Sequence, residues 1–448
     1  MRDVVLHAFD WTYDTIASRA AEIAEMGYGA VLFPPPLYTE ETGTAWWQVY
    51  QPKDYRVLRS HLGRRAELLA AVEALRDAGV RAYADIVFNH MANEKALRLA
   101  GGESDLYSFP GAHELERYRK EPHAFEADRL YGDLKDGLFS AADFNPEGDI
   151  SFSDWENPDA VQEKWLSGLP DLELKDWVVD QQVTCLRALD ALGFTGYRID
   201  AMKHLPLEHM IRVFTIDAMD DRFVFGEVLT TNDRDEATFL WPLIQHTRFP
   251  CYDFPLHETL RRAFAPSGSL RELVAPDAFG QALDWTRALT FSVTHDIPNN
   301  EGFRGMLLEQ QDEYLANAYL LGRDGGVPLV FSDQNQSADR HPEDRNRWAD
   351  AWRRYDIVQM IRFHNAVHGL PQRCVYEADG FLVLARGDRG LVAVNKTRQW
   401  RSPTIWTWGL RHGSYRCQLH QHVMQLQGET FTFAIPPRQA QLWLHEGP

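Results

Sequence analysis

The sequence predicts an α/β protein: a (β/α)8 barrel with a segment inserted after its third strand, followed by a C-terminal antiparallel β-sandwich. Three observations lead there. Apolar runs of strand length alternate with amphipathic helical stretches from the N-terminus to about residue 366. One long interruption, 91–173, breaks that alternation after the third strand. From about residue 370 the pattern changes to short β runs separated by turn residues.

In order, the strand-like runs are 4–9, 30–33, 80–88, 195–199, 223–225, 249–252, 288–293 and 328–331. Helical periodicity fills the gaps at 15–26, 68–78, 176–192, 207–219, 238–245, 256–264, 313–321 and 352–364. A doubly wound sheet would also alternate. It would not call for polar motifs at the ends of strands three, four, five and seven, where this chain has them, whereas barrel sites are built at C-terminal strand ends. The interruption is rich in Asp, Glu, Gly and Pro and is too long for a structureless loop, so it reads as a small subdomain. The expected division is therefore 1–90 and 174–369 for the barrel, 91–173 for the insert and 370–448 for the sandwich. The sandwich strands are expected at 381–385, 390–394, 404–406, 414–418, 431–435 and 440–444.

Composition narrows the function. With 448 residues, 44% of them hydrophobic, the chain can bury a large core, and 25% charged residues rule out a disordered polyelectrolyte. The net charge of −19 argues against nucleic acid or an anionic membrane as partner, is indifferent to a neutral substrate, and attracts a cation. No apolar run reaches the ~18 residues of a membrane span. Fourteen Trp and sixteen Tyr offer flat apolar rings of the kind that stack on sugar faces. Met1-Arg2-Asp3 leads straight into the first strand with no secretory signal, so a mature secreted or periplasmic form with an added Met, or else a cytoplasmic protein, is expected. Cys374 and Cys417 both fall in the tail and could pair; Cys185 and Cys251 are expected as reduced, buried thiols.

The chemistry is carried by strand ends. In Gly196-Tyr197-Arg198-Ile199-Asp200-Ala201-Met202-Lys203-His204, Arg198 and Asp200 point to one face because side chains alternate along a strand. A guanidinium beside a carboxylate favours the ionised acid, usable as a nucleophile. Glu227, 27 residues on, closes Phe223-Val224-Phe225-Gly226-Glu227 with apolar neighbours and no adjacent cation in sequence, a setting that holds a proton for donation. One ionised and one protonated acid are what a retaining glycosidase needs. Two further strand ends, Ala84-Asp85-Ile86-Val87-Phe88-Asn89-His90 and Thr294-His295-Asp296-Ile297-Pro298-Asn299-Asn300, complete the set.

These four motifs, in this order, resemble those of the α-amylase family, glycoside hydrolase family 13, bacterial α-amylases above all. The resemblance spans nearly the whole chain. It implies that Asp200 is the nucleophile, Glu227 the acid/base, and Asp296 the third acid, which binds sugar hydroxyls. It implies that His90 and His295 grip the sugar at the cleavage point, that Arg198 orients Asp200, and that Lys203 and His204 meet the next sugar. Tyr50, in Tyr50-Gln51-Pro52-Lys53-Asp54-Tyr55, matches a sugar-stacking Tyr, with Trp46 or Trp47 extending the platform; Val49 replaces the family's usual Gly. Asn89, Asp171 (in Leu169-Pro170-Asp171-Leu172-Glu173) and the carbonyl of His204 match the ligands of a structural calcium, a hard cation suited to oxygen donors from separate segments. Glu173 departs from the Asn or Asp that ends the family's signature. Chloride is not expected, since activated members place an Asn where Thr294 stands.

The expected activity is endo-hydrolysis of α-1,4-glucosidic bonds in starch-like glucans, by double displacement through a covalent glycosyl-enzyme in a monomer. The substrate is then an α-glucan polysaccharide or maltooligosaccharide. Two alternatives stay open: an exo-acting α-glucosidase or transglycosylase on the same fold, and a non-catalytic α-glucan-binding protein. Intact Asp200, Glu227 and Asp296 speak against the second.

Overall fold

The computed structural model describes residues 2–93 and 112–447; the expected insert runs partly through 94–111, which lie outside the described residues. Eight parallel strands close a barrel: β1 (Val5–Ala8), β2 (Ala30–Phe33), β3 (Arg81–Ile86), β4 (Gly196–Ile199), β5 (Phe223–Gly226), β6 (Cys251–Tyr252), β7 (Ala288–Thr290) and β8 (Val327–Ser332). The strands neighbour one another in chain order, and β8 closes on β1. Apart from the N-terminal residues of β3, β5 and β8 the strands are wholly buried, as apolar runs covered on both faces should be. The principal helices follow in alternation: α1 (Tyr13–Met26), α2 (Arg65–Asp77), α3 (Asp176–Ala191), α4 (Leu207–Phe214), α5 (Trp241–His246), α6 (Phe254–Phe264), α7 (Gln310–Leu320) and α8 (Tyr355–Val367). Gly27, at φ +104°, takes the left-handed conformation that ends α1. No helix among the described residues is long and apolar enough to cross a membrane.

The chain divides into two compact units. The first comprises Met1–His7, Glu22–Gly29 and Tyr252–Pro448; the second comprises Ala8–Ala21 and Ala30–Cys251. Within the second unit, helices Ala112–Lys120 and Pro122–Asp128 of the insert pack Tyr118 and Phe125 on Tyr38 and Val57. Asp54 fixes that contact by accepting from the Tyr118 hydroxyl (2.9 Å) and from Arg56 (2.7 Å).

Within the first unit the tail forms β9 (Gln372–Ala378), β10 (Phe381–Arg386), β11 (Gly390–Asn395), β12 (Thr404–Trp406), β13 (Gly413–Cys417), β14 (Val423–Leu426), β15 (Thr430–Thr432) and β16 (Gln439–His445). Six of these make one antiparallel sheet, in the order β9-β10-β11-β16-β13-β14, and β12 pairs with β15. Lys396 anchors the tail to α6: its Nζ donates to the carbonyls of Ala263, Ala265 and Gly268 at 2.6–2.8 Å, satisfying acceptors that a helix end leaves open. One expectation is corrected and one open possibility is closed. The six tail strands are eight, because β9 and β14 were not foreseen. Cys374 and Cys417 do not pair; both are free thiols. Cys374 lies on β9 and Cys417 on β13, four strand spacings of ~4.8 Å apart in the sheet order, well beyond the ~7 Å limit for a bridge.

Candidate active site

Register assembles the site in the second unit. Asp85 on β3 pairs with Arg198 on β4, and Ile199 on β4 with Gly226 on β5. The ladder continues past both strand ends: Asp200 N–H donates to Ile86 O (2.9 Å) and Glu227 N–H to Ile199 O (3.0 Å). The next register step therefore sets Asp200 opposite Glu227, one spacing of about 4.8 Å apart along the sheet. Two local features hold the ends in place. Ala201 is left-handed (φ 49°), turning the chain sharply after Asp200 at a cost of roughly 1–3 kcal/mol. Gly226 admits Met202: a Cβ there would come within 1.7 Å of the methionine sulfur.

Arg198 is fully buried and is the hub of three carboxylates. Its Nη1 donates to both oxygens of Asp85 (2.7 Å each) and to Asp200 Oδ1 (2.9 Å), and its Nη2 to Glu227 Oε2 (2.6 Å). The reading from sequence gave Arg198 to Asp200 and found no cation adjacent to Glu227 along the chain; across the sheet, Arg198 serves Glu227 as well. Arg198 pulls the Asp200 carboxyl down, as expected, yet the net effect of its surroundings pushes that carboxyl up to about 7. Burial is the main cause, Arg198 opposes it, and the charges of Asp85 and Glu227 add to it. Asp85 is likewise pushed up by burial, to about 6. Three acids around one guanidinium carry a net charge of −2 when all are ionised, so the buried cluster favours holding a proton.

Tyr50 closes this cluster, its hydroxyl donating to Asp85 Oδ2 (3.1 Å) and its ring lying 5.9 Å from the Arg198 guanidinium. Of the two tryptophans proposed beside it, Trp46 makes the contact, edge-on at 6.0 Å and also packed on Phe9; Trp47 is half-buried beside them in sequence. His90 is buried and donates from Nε2 to the Tyr50 carbonyl (3.0 Å); burial lowers its pKa, against the pull of the Asp200 charge. Lys203 and His204, just past the end of β4, are both buried. Lys203 Nζ sits 3.4 Å from Asp235, 4.7 Å from the Phe239 ring and 5.8 Å from the Trp155 ring. His204 donates from Nδ1 to Val161 O (2.9 Å), and burial drives its pKa down to about 4, so the ring is neutral.

Asn89 and Asp171 meet in the same unit. Leu172 N–H donates to Asn89 O (2.9 Å), and the buried Asp171 carboxylate accepts from Asn145 Nδ2 (2.7 Å). Burial holds the Asp171 carboxyl well above its ordinary range, opposed by hydrogen bonds from Asn145 and Asn89 and reinforced by the charge of Glu163.

His295 and Asp296 lie in the first unit, after β7. Asp296 opens a short helix, Asp296–Asn299, and accepts from Asn300 Nδ2 (2.7 Å). His295 Nε2 lies 3.3 Å from Asp296 Oδ2, with the His7 ring edge-on at 5.2 Å.

The sequence reading missed Asp85, Asn145, Asp235 and Trp155 as members of these clusters. Asp85 had a signal: a carboxylate inside an otherwise apolar buried strand requires a cation.

No family model matches the chain. An α-amylase of Aeromonas hydrophila is 45% identical over 403 residues, covering 88% of this chain and 84% of that protein. The chain belongs to the α-amylase family. It is accordingly a glycoside hydrolase of the α-amylase type. Solved structures agree on the fold. A mutant of α-amylase I from Eisenia fetida in complex with maltohexaose superposes with a TM-score of 0.80 at 21% identity, covering 100% of this chain and 98% of that one. An α-amylase from Malbranchea cinnamomea gives 0.74 at 19% identity, covering 99% and 96%.

Proposed function

We propose that this α-amylase family member cuts α-1,4-glucosidic bonds within starch-like glucans with retention of configuration. The observation that carries the reading is that Asp200 and Glu227 face each other on neighbouring strands, one register step beyond the Ile199–Gly226 pair, both bound to Arg198. Neighbouring strands one spacing of ~4.8 Å apart, with both carboxylates on one guanidinium, suit the ~5–5.5 Å between carboxyls that double displacement needs better than the wider gap of an inverting site. In this scheme Asp200, ionised, attacks the anomeric carbon while Glu227 gives its proton to the departing oxygen; Glu227 then takes a proton from the incoming water. Arg198 serves both, steadying the anionic partner at each stage. By the family's pattern Asp296 is assigned to sugar hydroxyls in support of the transition state, and His90 and His295 to gripping sugar. Tyr50 with Trp46 stacks on it, and Lys203 and His204 meet the sugar beyond the cleavage point.

The domain division 1–90 with 174–369, 91–173 and 370–448 is part of this proposal. So is calcium. The residues fit a hard cation: Asp171 is a buried carboxylate whose described side-chain contacts are amide N–H groups of Asn145 and Asn89 rather than cations, so its charge is left for an ion to compensate. Asn89, Asp171 and the carbonyl of His204 would hold the ion, and the ion would supply structural charge compensation.

The test is product analysis on amylose. Early products should be mixed maltooligosaccharides of α-anomeric form, with maltose a poor substrate, because remote sugars supply binding energy for distortion at the reacting centre. Glucose as the sole early product would indicate the exo-acting alternative, and β-anomers would overturn retention.

A further inference from the structure

Away from the carboxylate cluster, Asp3, His364 and His368 bring three metal-ligating side chains together in the first unit. Asp3 lies just before β1, while His364 and His368 stand one helical turn apart at the C-terminal end of α8, so both rings leave the same face. Asp3 Oδ1 is 2.9 Å from His364 Nε2, and Asp3 Oδ2 is 3.6 Å from His368 Nδ1. All three donor atoms lie within 4.8 Å of one another. A tetrahedral ion with bonds of ~2.0–2.1 Å holds its ligands ~3.4 Å apart, a separation those two distances bracket. Burial is graded: the side chains of His364, Asp3 and His368 are 5%, 17% and 38% exposed, so the cluster is closed on the protein side and open to water on the other.

We propose that Asp3, His364 and His368 bind a zinc-like first-row divalent cation, with water completing a four-coordinate shell. Two imidazoles and one carboxylate favour such a metal over calcium, which takes oxygen ligands. The site joins residues 361 apart in the chain. An ion bound there only in the folded state ties the N-terminal strand to the last helix and stabilises both. In the metal-free chain the His364 Nε2 proton is donated to Asp3; on binding, that nitrogen gives its lone pair to the ion and the proton moves to Nδ1. Nδ1 has no hydrogen-bond partner, so affinity falls below that of closed structural zinc sites.

The experiment uses the full-length, tag-free protein, stripped with chelator and then held in saturating calcium so that the oxygen site is filled. Zinc is titrated by calorimetry and the melting temperature is followed in parallel. One equivalent should bind at micromolar zinc and raise the melting temperature. His368→Ala and Asp3→Asn should each weaken binding by about tenfold or more and abolish that rise, leaving starch hydrolysis and the calcium response unchanged. His422→Ala, which breaks the stacked His420–His422 pair in the tail, should leave zinc binding intact. No binding by the wild type up to millimolar zinc would overturn the site. So would unchanged affinity in His368→Ala and Asp3→Asn, or loss of affinity in His422→Ala.

Discussion

Replacing Asp85 with Asn removes one of the three charges that compete for Arg198 while keeping the side chain's size. Asp85 and Asp200 each bond Arg198 Nη1, at 2.7 and 2.9 Å, so their bonded oxygens lie at most about 5.6 Å apart. Two unit charges at that separation repel by about 3 kcal/mol at an effective dielectric of ~20, and by about 0.7 kcal/mol in bulk water. Removing the Asp85 charge should therefore lower the pKa of Asp200, now pushed up to about 7, by roughly half a unit to two units. The assay is kcat/KM against pH on a soluble end-blocked maltooligosaccharide, whose acid limb reports ionisation of the nucleophile in the free enzyme. Even if Asp85→Asn lowers the maximum, the position of the limb is still readable. Stability moves in the same direction. Burial raises the folded pKa of both acids above the ordinary 3.8, so their stabilising contribution is complete below that value and is lost as pH rises through about 6 to 7. With one such group gone, the melting temperature should fall less steeply between about pH 4 and pH 7. An acid limb that stays in place or moves upward in Asp85→Asn would refute the charge-sharing account of Arg198.

Glu227→Gln should keep starch binding and lose several orders of magnitude in turnover, since proton transfer alone supplies ~10²–10⁴; wild-type hydrolysis by that variant would remove Glu227 from the mechanism. Asp200→Asn should abolish the covalent intermediate, and a glycosyl adduct trapped on any other residue would sink the nucleophile assignment. Exhaustive chelation should lower the melting temperature, and Asp171→Ala should mimic it at ambient calcium; an unchanged melting curve with no metal by elemental analysis would count against calcium.

The sequence by itself determined the barrel and the location of the chemistry. Periodicity is a local property, and the alternation of buried strands with amphipathic helices survives into the structure at all eight strands. The position of Asp200 and Glu227 at strand ends was legible for the same reason, as was the pairing of Arg198 with Asp200, two residues apart on one strand. Only the tertiary structure decided who shares Arg198. Asp85 and Glu227 reach it across the β3–β4 and β4–β5 registers, and the sequence lists neighbours along a strand, not across a sheet. The same limit hid Asn145, which meets Asp171 from 26 residues away. The choice of Trp46 over Trp47 depended on which ring the short helix Trp46–Tyr50 turns towards Tyr50. In the tail, β9 and β14 escaped because they are the two edges of the six-stranded sheet. An edge strand packs against one neighbour only, so its residues need not form the strong apolar run by which a central strand such as β10 or β11 announces itself. The separation of Cys374 from Cys417 was set by that same strand order, which is fixed by pairing across the whole sheet and by nothing written near either cysteine.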